Sequence, residues 1–328
     1  MSSTRKETKL IRFVKRAWNI IKKARIPFRS SKFSNHIYNN HVHLILHMLR
    51  VSTGMSYIRF FEWIENFTQL WEVLAVTSIP HFTTLHKFVQ RCPKRYLDAF
   101  ILISGLINTD GKISTGIDST GLSLTNASYH YTIVIKVREN GKKKRGRPRK
   151  RRPIKRYLKV MFVIDTDTQT ILVTSIRRGP DNDNKDFVRS YKKLEQEDSV
   201  DIGLVLADKG YDSEWNHIYA REILGAESII PARKNRSKDF KTRGKYRREM
   251  KSGYDVERYR QRNKVETVNS VIKRKMGDCV RARKVWNQNR EILFMVMVYN
   301  IERNMRLSLI IMIGFLESPS YQFCIISP

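Results

Sequence analysis

One carboxylate, Glu266, stands among lysines and arginines in RYRQRNKVETVNSVIKRKMG, Arg258 to Gly277. Advanced at about 100° per residue along one helix, Tyr259, Arg262, Glu266 and Lys273 fall within roughly a 60° arc. Val265, Val268, Ile272 and Met276 form a separate apolar stripe. The stretch reads as a helix with a packing face and a polar face that carries a lone acid between cations. Taken alone, that acid is a surface partner for Arg262, a pairing that contributes about 0.2–0.5 kcal/mol. Two further acids change the reading. Asp118 lies within a strand pattern in GIDSTG, and Asp208 ends the apolar run IGLVLAD. A carboxylate buried mid-strand without a partner is costly, and a divalent cation offsets that cost. Mg2+ favours carboxylate oxygens and keeps several of its waters. Two such ions about 3.5–4 Å apart stabilise the attacking and leaving oxygens of an in-line phosphoryl displacement. Asp118, Asp208 and Glu266 suit that task, and the surrounding cations would hold the phosphates of a DNA strand. A basic groove with an acidic centre is what a metal-dependent nuclease or polynucleotidyl transferase needs.

Three regions must position these residues. Residues 1–110 read as short helices, with an apolar stripe at Val42, Ile45, Leu46 and Leu49, Ser56 as a helix cap, and SIPHFTTLHKFVQRCP as a turn, a Thr cap and a helix ending before Pro93. The series suits a helix-turn-helix-like DNA-binding region, and a plain helical bundle equally. From residue 111 the pattern changes. Ile113 to Leu122, Tyr157 to Ile164 and Thr170 to Ile176 are strand candidates, the last two joined by DTDTQ. A helix from about Lys185, the IGLVLAD strand, a helix after KGYDSE capped by Asp212 or Ser213, and the strand AESIIPA complete an α/β domain with a mixed sheet. In the apolar tail, residues 307–328, the run LSLIIMIGFL is about half the length needed to span a bilayer, and it is expected to be buried against the fold or at an interface.

The charge balance points the same way. Lys plus Arg number 63 against 31 Asp plus Glu, a formal net charge of +32, with 41% hydrophobic and 10% aromatic residues. Such an excess repels itself in a compact chain unless a polyanion shares the load, so nucleic acid is the expected partner and an anionic membrane surface the lesser one. Cys92, Cys279 and Cys324 are far apart and form no CxxC pair, which suggests neither a disulfide framework nor a zinc ribbon and fits a reducing compartment. The N-terminus has no secretory signal pattern, because basic residues break every apolar run. Leu10, Val14, Trp18 and Ile21 there recur at helical spacing between cations, which fits a membrane-surface helix or a helix packed on the protein.

The three acidic blocks resemble those of the DDE transposases of bacterial and archaeal insertion sequences, in the group that includes the insertion-sequence-four and insertion-sequence-five types. Tyr259, Arg262, Glu266 and Lys273 match the group's Y-x2-R-x3-E-x6-K pattern, GIDSTG matches the block around its first Asp and LADKGYDS the block around its second. The resemblance covers about residues 38 to 306. It implies a ribonuclease-H-like fold over 111–306, two Mg2+ ions (Mn2+ able to substitute) on Asp118, Asp208 and Glu266, and DNA contacts near the cut from Tyr259, Arg262 and Lys273. The implied reaction is hydrolysis at transposon ends, then attack of the freed 3′-hydroxyl on target DNA, with no covalent protein–DNA intermediate. The implied setting is a homodimer on double-stranded DNA in a prokaryotic cytoplasm, at the nucleoid, away from membrane. Some members of the group carry a large β insertion before the Glu helix; here only Ala232 to Asp255 lies between it and the preceding strand, which favours the short-loop, insertion-sequence-five-like form. A DNA-binding protein derived from a transposase, without catalysis, is the alternative.

Three further features carry weaker readings. GKKKRGRPRKRRP lies in a basic arm at 137–156. Within it Arg145, Gly146, Arg147 and Pro148 are similar to an AT-hook, whose arginines follow the negative potential of a narrow minor groove; a basic loop that binds any DNA is the other reading. His43 and His47 stand at i,i+4, as zinc ligands do, without a third ligand nearby, so packing or capping roles are favoured. Asp165 and Asp167 suit a turn. Asp181, Asp183 and Asp186 suit helix capping, with Asp183 the first alternative for a catalytic acid.

Overall fold

The computed structural model describes residues 7–33, 37–124, 133–134, 154–155, 157–179, 182–197, 200–233 and 242–317. The chain opens with helices α1 (Lys9–Lys23), α2 (Asn40–Thr53), α3 (Tyr57–Ile64), α4 (Thr68–Leu74), α5 (Phe82–Arg91) and α6 (Lys94–Leu106). Their ends follow local chemistry. Thr8, Asn39 and Ser56 each accept a backbone N–H of the first turn of α1, α2 and α3, and Gly54 closes α2 in the left-handed conformation. His81, rather than a threonine, caps α5 by accepting from Thr83 N. The basic helix α1 is packed on the protein, with Ile11, Val14, Ala17, Ile20 and Ile21 buried.

The α/β region begins with β1 (Ile113–Leu124) and continues with two short strands, β2 (Ile133–Val134) and β3 (Ile154–Lys155), then β4 (Leu158–Asp165) and β5 (Ile171–Arg178). After these come α7 (Asn184–Glu195), β6 (Ile202–Ala207), α8 (Glu214–Ile218), β7 (Glu227–Ile229), α9 (Lys245–Ser252), α10 (Val256–Arg260), α11 (Asn263–Met276), β8 (Cys279–Val280) and α12 (Val285–Glu317). The main sheet has the order β5-β4-β1-β6-β7, with β8 pairing to the far end of β1. β1, β4 and β5 are antiparallel neighbours, while β6 runs parallel to β1 and β7 parallel to β6. This mixed sheet with helices on both faces, preceded by a helical region, is the α/β fold the sequence pattern calls for. β2 and β3 pair antiparallel with each other; the basic stretch between them, with Arg145 to Pro148, lies outside the described residues.

Two cores sandwich the sheet. One joins α1–α6, α11 and α12 to one sheet face through residues such as Phe60, Phe100, Phe162, Val265 and Phe294. The other seats Phe187, Tyr191 and Tyr211 against the opposite face. β4 is buried along its whole length, as a strand covered on both faces must be. The helical region therefore shares its core with the catalytic-domain candidate. At Gly105 the backbone of α6 approaches β5 so closely that a Cβ would lie 2.7 Å from the Ile171 carbonyl oxygen. Asn300 of α12, fully buried, accepts the Ile171 N–H at 2.9 Å and places its amide nitrogen 2.8 Å from the Ile171 carbonyl and 2.9 Å from Ser104 Oγ. Helix α12 continues into the tail, where Leu309 and Ile310 are exposed and so not buried against the rest of the fold. Among the described residues, no helix is long and apolar enough to cross a membrane.

Candidate active site

β1 and β6 pair in parallel with Ile117 opposite Ala207. Asp118 and Asp208 are the next residues of the two chains. Side chains of in-register parallel partners share a face, and neighbouring strands lie about 4.7–4.9 Å apart, so the two acids stand side by side on one sheet face. β6 ends at Ala207, which puts Asp208 one residue beyond the strand. The β1 edge is then open from Asp118 to Ser123, where β8 joins. Along this open edge runs a groove of about 580 Å3, lined by Ser119, Gly121, Lys159, Asp183, Lys273 and Asp278 among others.

Helix α11 lies over the same face. Val265 packs on Gly116, where an added Cβ would meet Val265 Cγ2 at 2.5 Å. One turn on, Asn269 Nδ2 donates to Asp118 Oδ2 at 3.3 Å. Val265, Val268 and Ile272 are buried, worth about 1.5–3 kcal/mol each. The ion pair of Arg262 with Glu266, 2.7 Å, contributes about 0.2–0.5 kcal/mol by comparison, so packing sets where the helix lies and the charges ride on it. The helix is not continuous through the whole segment. It breaks at Gln261–Arg262, and Tyr259 belongs to the separate helix α10. The single arc expected for Tyr259, Arg262, Glu266 and Lys273 holds only from Arg262 onward. Tyr259 instead meets Tyr254 edge-on at 5.3 Å, with the Arg262 guanidinium 6.0 Å from its ring centroid.

Burial pushes the Asp118 carboxyl up to about 6, a hydrogen bond from the Ser119 backbone N–H and the Arg262 charge oppose this, and Glu266 and Asp208 push it further in the same direction. Asp118 thus feels both other acids. Burial works against the Arg262 charge, but Glu266, Tyr259 and Asp208 hold the guanidinium above its ordinary value. The Glu266 side chain is 56% exposed against 14% for Arg262, so Glu266 faces the open side. Among the described residues, no three His, Cys, Asp or Glu side chains converge into a ready cage, because Glu266 is turned to Arg262. The residues nonetheless fit a divalent cation. Asp118 and Asp208 directly follow paired residues of neighbouring strands, Asp118 is raised mainly by burial and further by Glu266 and Asp208, and Asn269 Oδ1 is buried without a partner while its Nδ2 donates to Asp118.

The remaining candidates separate cleanly. Asp183 occupies the N-terminal position of α7 but makes no side-chain cap. It accepts from Ser119 Oγ at 2.8 Å and pairs with Lys159, on the opposite side of the β1 edge from Glu266. Asp186 pairs with Arg177 at 2.5 Å, and Asp181 lies outside the described residues. Asp212 does not cap α8; it is held by Arg247 at 2.7 and 2.8 Å and by the Arg233 N–H at 2.9 Å. Asp165 closes its turn by accepting from Asp167 N and Thr168 Oγ1. His43 stacks on Phe88 at 4.6 Å and His47 meets Phe294 at 4.1 Å, so both are packing residues. Two residues were missed in the sequence. Lys159 is the one cation inside the apolar run of β4, where it pairs with Asp183, and Asn269 is the polar residue one turn beyond Val265, where it meets Asp118; each breaks the apolar pattern of its element.

No curated protein matches the chain. A solved structure described as the cryo-EM structure of the piggyBac transposase synaptic complex with hairpin DNA is similar at a TM-score of 0.46 and 12% identity, over 92% of this chain and 75% of that one. Residues 115–301, more than half of the 328, match the transposase DDE domain. The stretch runs from three residues before Asp118 to the buried turn of α12 that carries Asn300, and by it the chain belongs to the transposase DDE domain family.

Proposed function

We propose that this protein is an active transposase of the insertion-sequence-four/five group. It cuts DNA at transposon ends and joins the freed 3′-hydroxyl to target DNA. The observation that carries the reading is the β1–β6 register, which ends with Ile117 opposite Ala207 and so makes Asp118 and Asp208 the next residues of neighbouring strands, beneath the helix that bears Glu266 and beside a groove lined by Lys273. Asp118, Asp208 and Glu266 would hold two Mg2+ ions, with Mn2+ as a substitute. Bound there, the metals supply charge stabilisation for the attacking and leaving oxygens of the displaced phosphate. The protein's own residues do the rest. Lys273 takes a phosphate of the strand in the groove, while Lys159 stays paired with Asp183. Arg262 keeps Glu266 at the rim until a cation competes for it. Asn269 fixes the orientation of the Asp118 carboxylate. Water first opens the phosphodiester to a 3′-hydroxyl and a 5′-phosphate; the hydroxyl then displaces a second phosphodiester.

The segment between β7 and the Glu helix carries α9 and α10 and no β insertion among its described residues, which supports the short-loop, insertion-sequence-five-like form. We assign DNA binding to the helical region 1–110 and to the basic arm at 137–156, catalysis to 111–306, and assembly to a homodimer that holds two DNA ends, in a prokaryotic cytoplasm. The test is end cleavage and strand joining on DNA that flanks the gene, with Mg2+ or Mn2+, comparing native protein with Glu266→Gln. Glutamine keeps the shape and loses the charge, so the variant binds DNA and does not cut. Equal cutting by both removes Glu266 from the site. Binding without cutting by both makes the protein a transposase-derived DNA-binding protein.

A further inference from the structure

A second pocket, of about 390 Å3, opens between α2, α3, α5 and the loop that joins β8 to α12. Its wall is unlike the active-site groove. Arg50, Arg281, Arg283 and Lys284 bring four cations to it, and Glu291 is the single carboxylate. Glu291 is already engaged, accepting the backbone N–H groups of Arg281 and Ala282 at 2.9 to 3.2 Å. The cations therefore have no matching anion in the wall. Arg50 is fixed rather than loose. Its guanidinium lies 4.4 Å from the Tyr57 ring centroid and donates to the Met55 carbonyl at 3.0 Å. Arg281 is anchored by donation to the Gly54 carbonyl at 3.1 Å.

Three residues of the same wall carry buried polar atoms without a hydrogen-bond partner: His47 Nδ1, Arg50 Nε and Asn287 Oδ1. His47 is only 2% exposed. An unpartnered buried polar atom costs about 1–3 kcal/mol, and such atoms gathered in one cationic pocket indicate a site that is completed by a ligand. Preformed arginine donors held by aromatic and backbone contacts suit an anion with several acceptor oxygens.

We propose that this pocket binds a phosphate group of a DNA strand. The commitment to DNA rests on the transposase reading and on position. Asp278 lines the active-site groove and Arg281 lines this pocket; three residues span at most about 10 Å. A duplex carries one phosphate charge per about 1.7 Å of axis, so DNA seated in the groove has further phosphates within reach of the pocket. The pocket thereby couples the N-terminal helices to the strand being cut.

The experiment uses the full chain and the variant Arg283→Gln/Lys284→Gln, whose side chains are exposed in the native protein, so that the fold is retained. In the first arm, inorganic phosphate is titrated at constant ionic strength while the ring resonances of His47 and His86 are followed by NMR. A saturable shift in the native protein, at least about tenfold weaker in the variant, is expected; no saturable shift, or equal binding by both, overturns the site. In the second arm, duplex binding is measured against salt. Loss of two phosphate contacts lowers the slope of log K against log salt by about 1.8, about 0.9 for each. An unchanged slope with phosphate binding intact assigns the pocket to free phosphate and overturns the DNA assignment. The two readings fail separately: a protein that shows the slope change without cutting DNA loses the catalytic proposal and keeps this one, and a protein that cuts without the slope change does the reverse.

Discussion

Substitution of Gly116 by Ala is the sharpest probe of how the third acid is placed. The new Cβ would lie 2.5 Å from Val265 Cγ2, where carbon atoms in contact sit about 3.5–4.0 Å apart. Val265 cannot swing away: it is fully buried, it stands in the first turn of α11, and its β-branched side chain has one strongly preferred helical rotamer. The helix has to lift from β1 by about 1 Å. Overpacking of this kind costs about 1–3 kcal/mol, and removing a strand glycine returns about 0.5–1 kcal/mol, so Gly116→Ala is expected to destabilise by about 1–2 kcal/mol in urea unfolding. Val265→Ala alone loses about 1.5–3 kcal/mol of burial. The double variant places one methyl where another was removed, and its cost falls below the sum of the singles by about 1–2 kcal/mol. Glu266 rides on the displaced helix, and a 1 Å misplacement costs about 100-fold in rate, so Gly116→Ala is also expected to nick DNA about 100-fold more slowly while binding it as the native protein does, with partial recovery in the double variant. A neutral Gly116→Ala, or strictly additive singles, would refute the packing of Val265 on Gly116 as the device that sets the helix.

Three further outcomes follow from buried polar groups. Asn300→Ala leaves the Ile171 N–H and carbonyl without their α12 partner and is expected to cost about 2–4 kcal/mol in urea unfolding; a cost below about 1 kcal/mol contradicts the role given to Asn300. Arg247→Ala strips its ion pair from Asp212, whose side chain is 0% exposed, and is expected to cost about 3 kcal/mol at neutral pH. Burial raises the Asp212 carboxyl, but Arg247 and the Arg233 N–H outweigh it and hold the group below its ordinary value. That stabilisation is present above the ordinary carboxylate range and is lost as pH falls through the folded value, so native and variant stabilities should converge in acid. His43 is lowered from 6.5 to about 4 by burial, against the opposing hydrogen bond to the Asn39 carbonyl. A folded value below the unfolded one gives stability that is complete above pH 6.5 and is lost as pH falls toward 4, on the order of 3 kcal/mol from this group. Urea midpoints from pH 7.5 to 5 should fall in native protein and fall less in His43→Phe; parallel profiles refute the assignment.

Much of this was legible in the sequence because the relevant physics is local. Period-two and continuous apolar runs placed β1, β4, β5, β6 and β7, and the apolar stripe Val265, Val268 and Ile272 named the packing face of α11. The +32 charge and three ordered acidic blocks pointed to DNA and to metal-assisted phosphoryl chemistry before any element was positioned. What escaped was decided by contacts distant in sequence. A helical wheel assumes an unbroken helix, and the break at Gln261–Arg262 moved Tyr259 onto another element. Capping chemistry pointed to Asp212 and Asp183 as caps, but Arg247, Lys159 and Ser119, each far along the chain, took their side chains. Asn269 gained its meaning only when α11 settled on Gly116 and brought it to Asp118, and Lys159 only when β4 and the start of α7 brought it to Asp183. The sequence by itself determined which residue types were available and the faces on which each element could carry them. Tertiary structure decided which acids come to neighbouring strands, which are pulled aside by cations, and where the unpartnered charges gather, because Coulombic and hydrogen-bond partners are chosen by proximity in space and register between strands is set by the packing of both sheet faces.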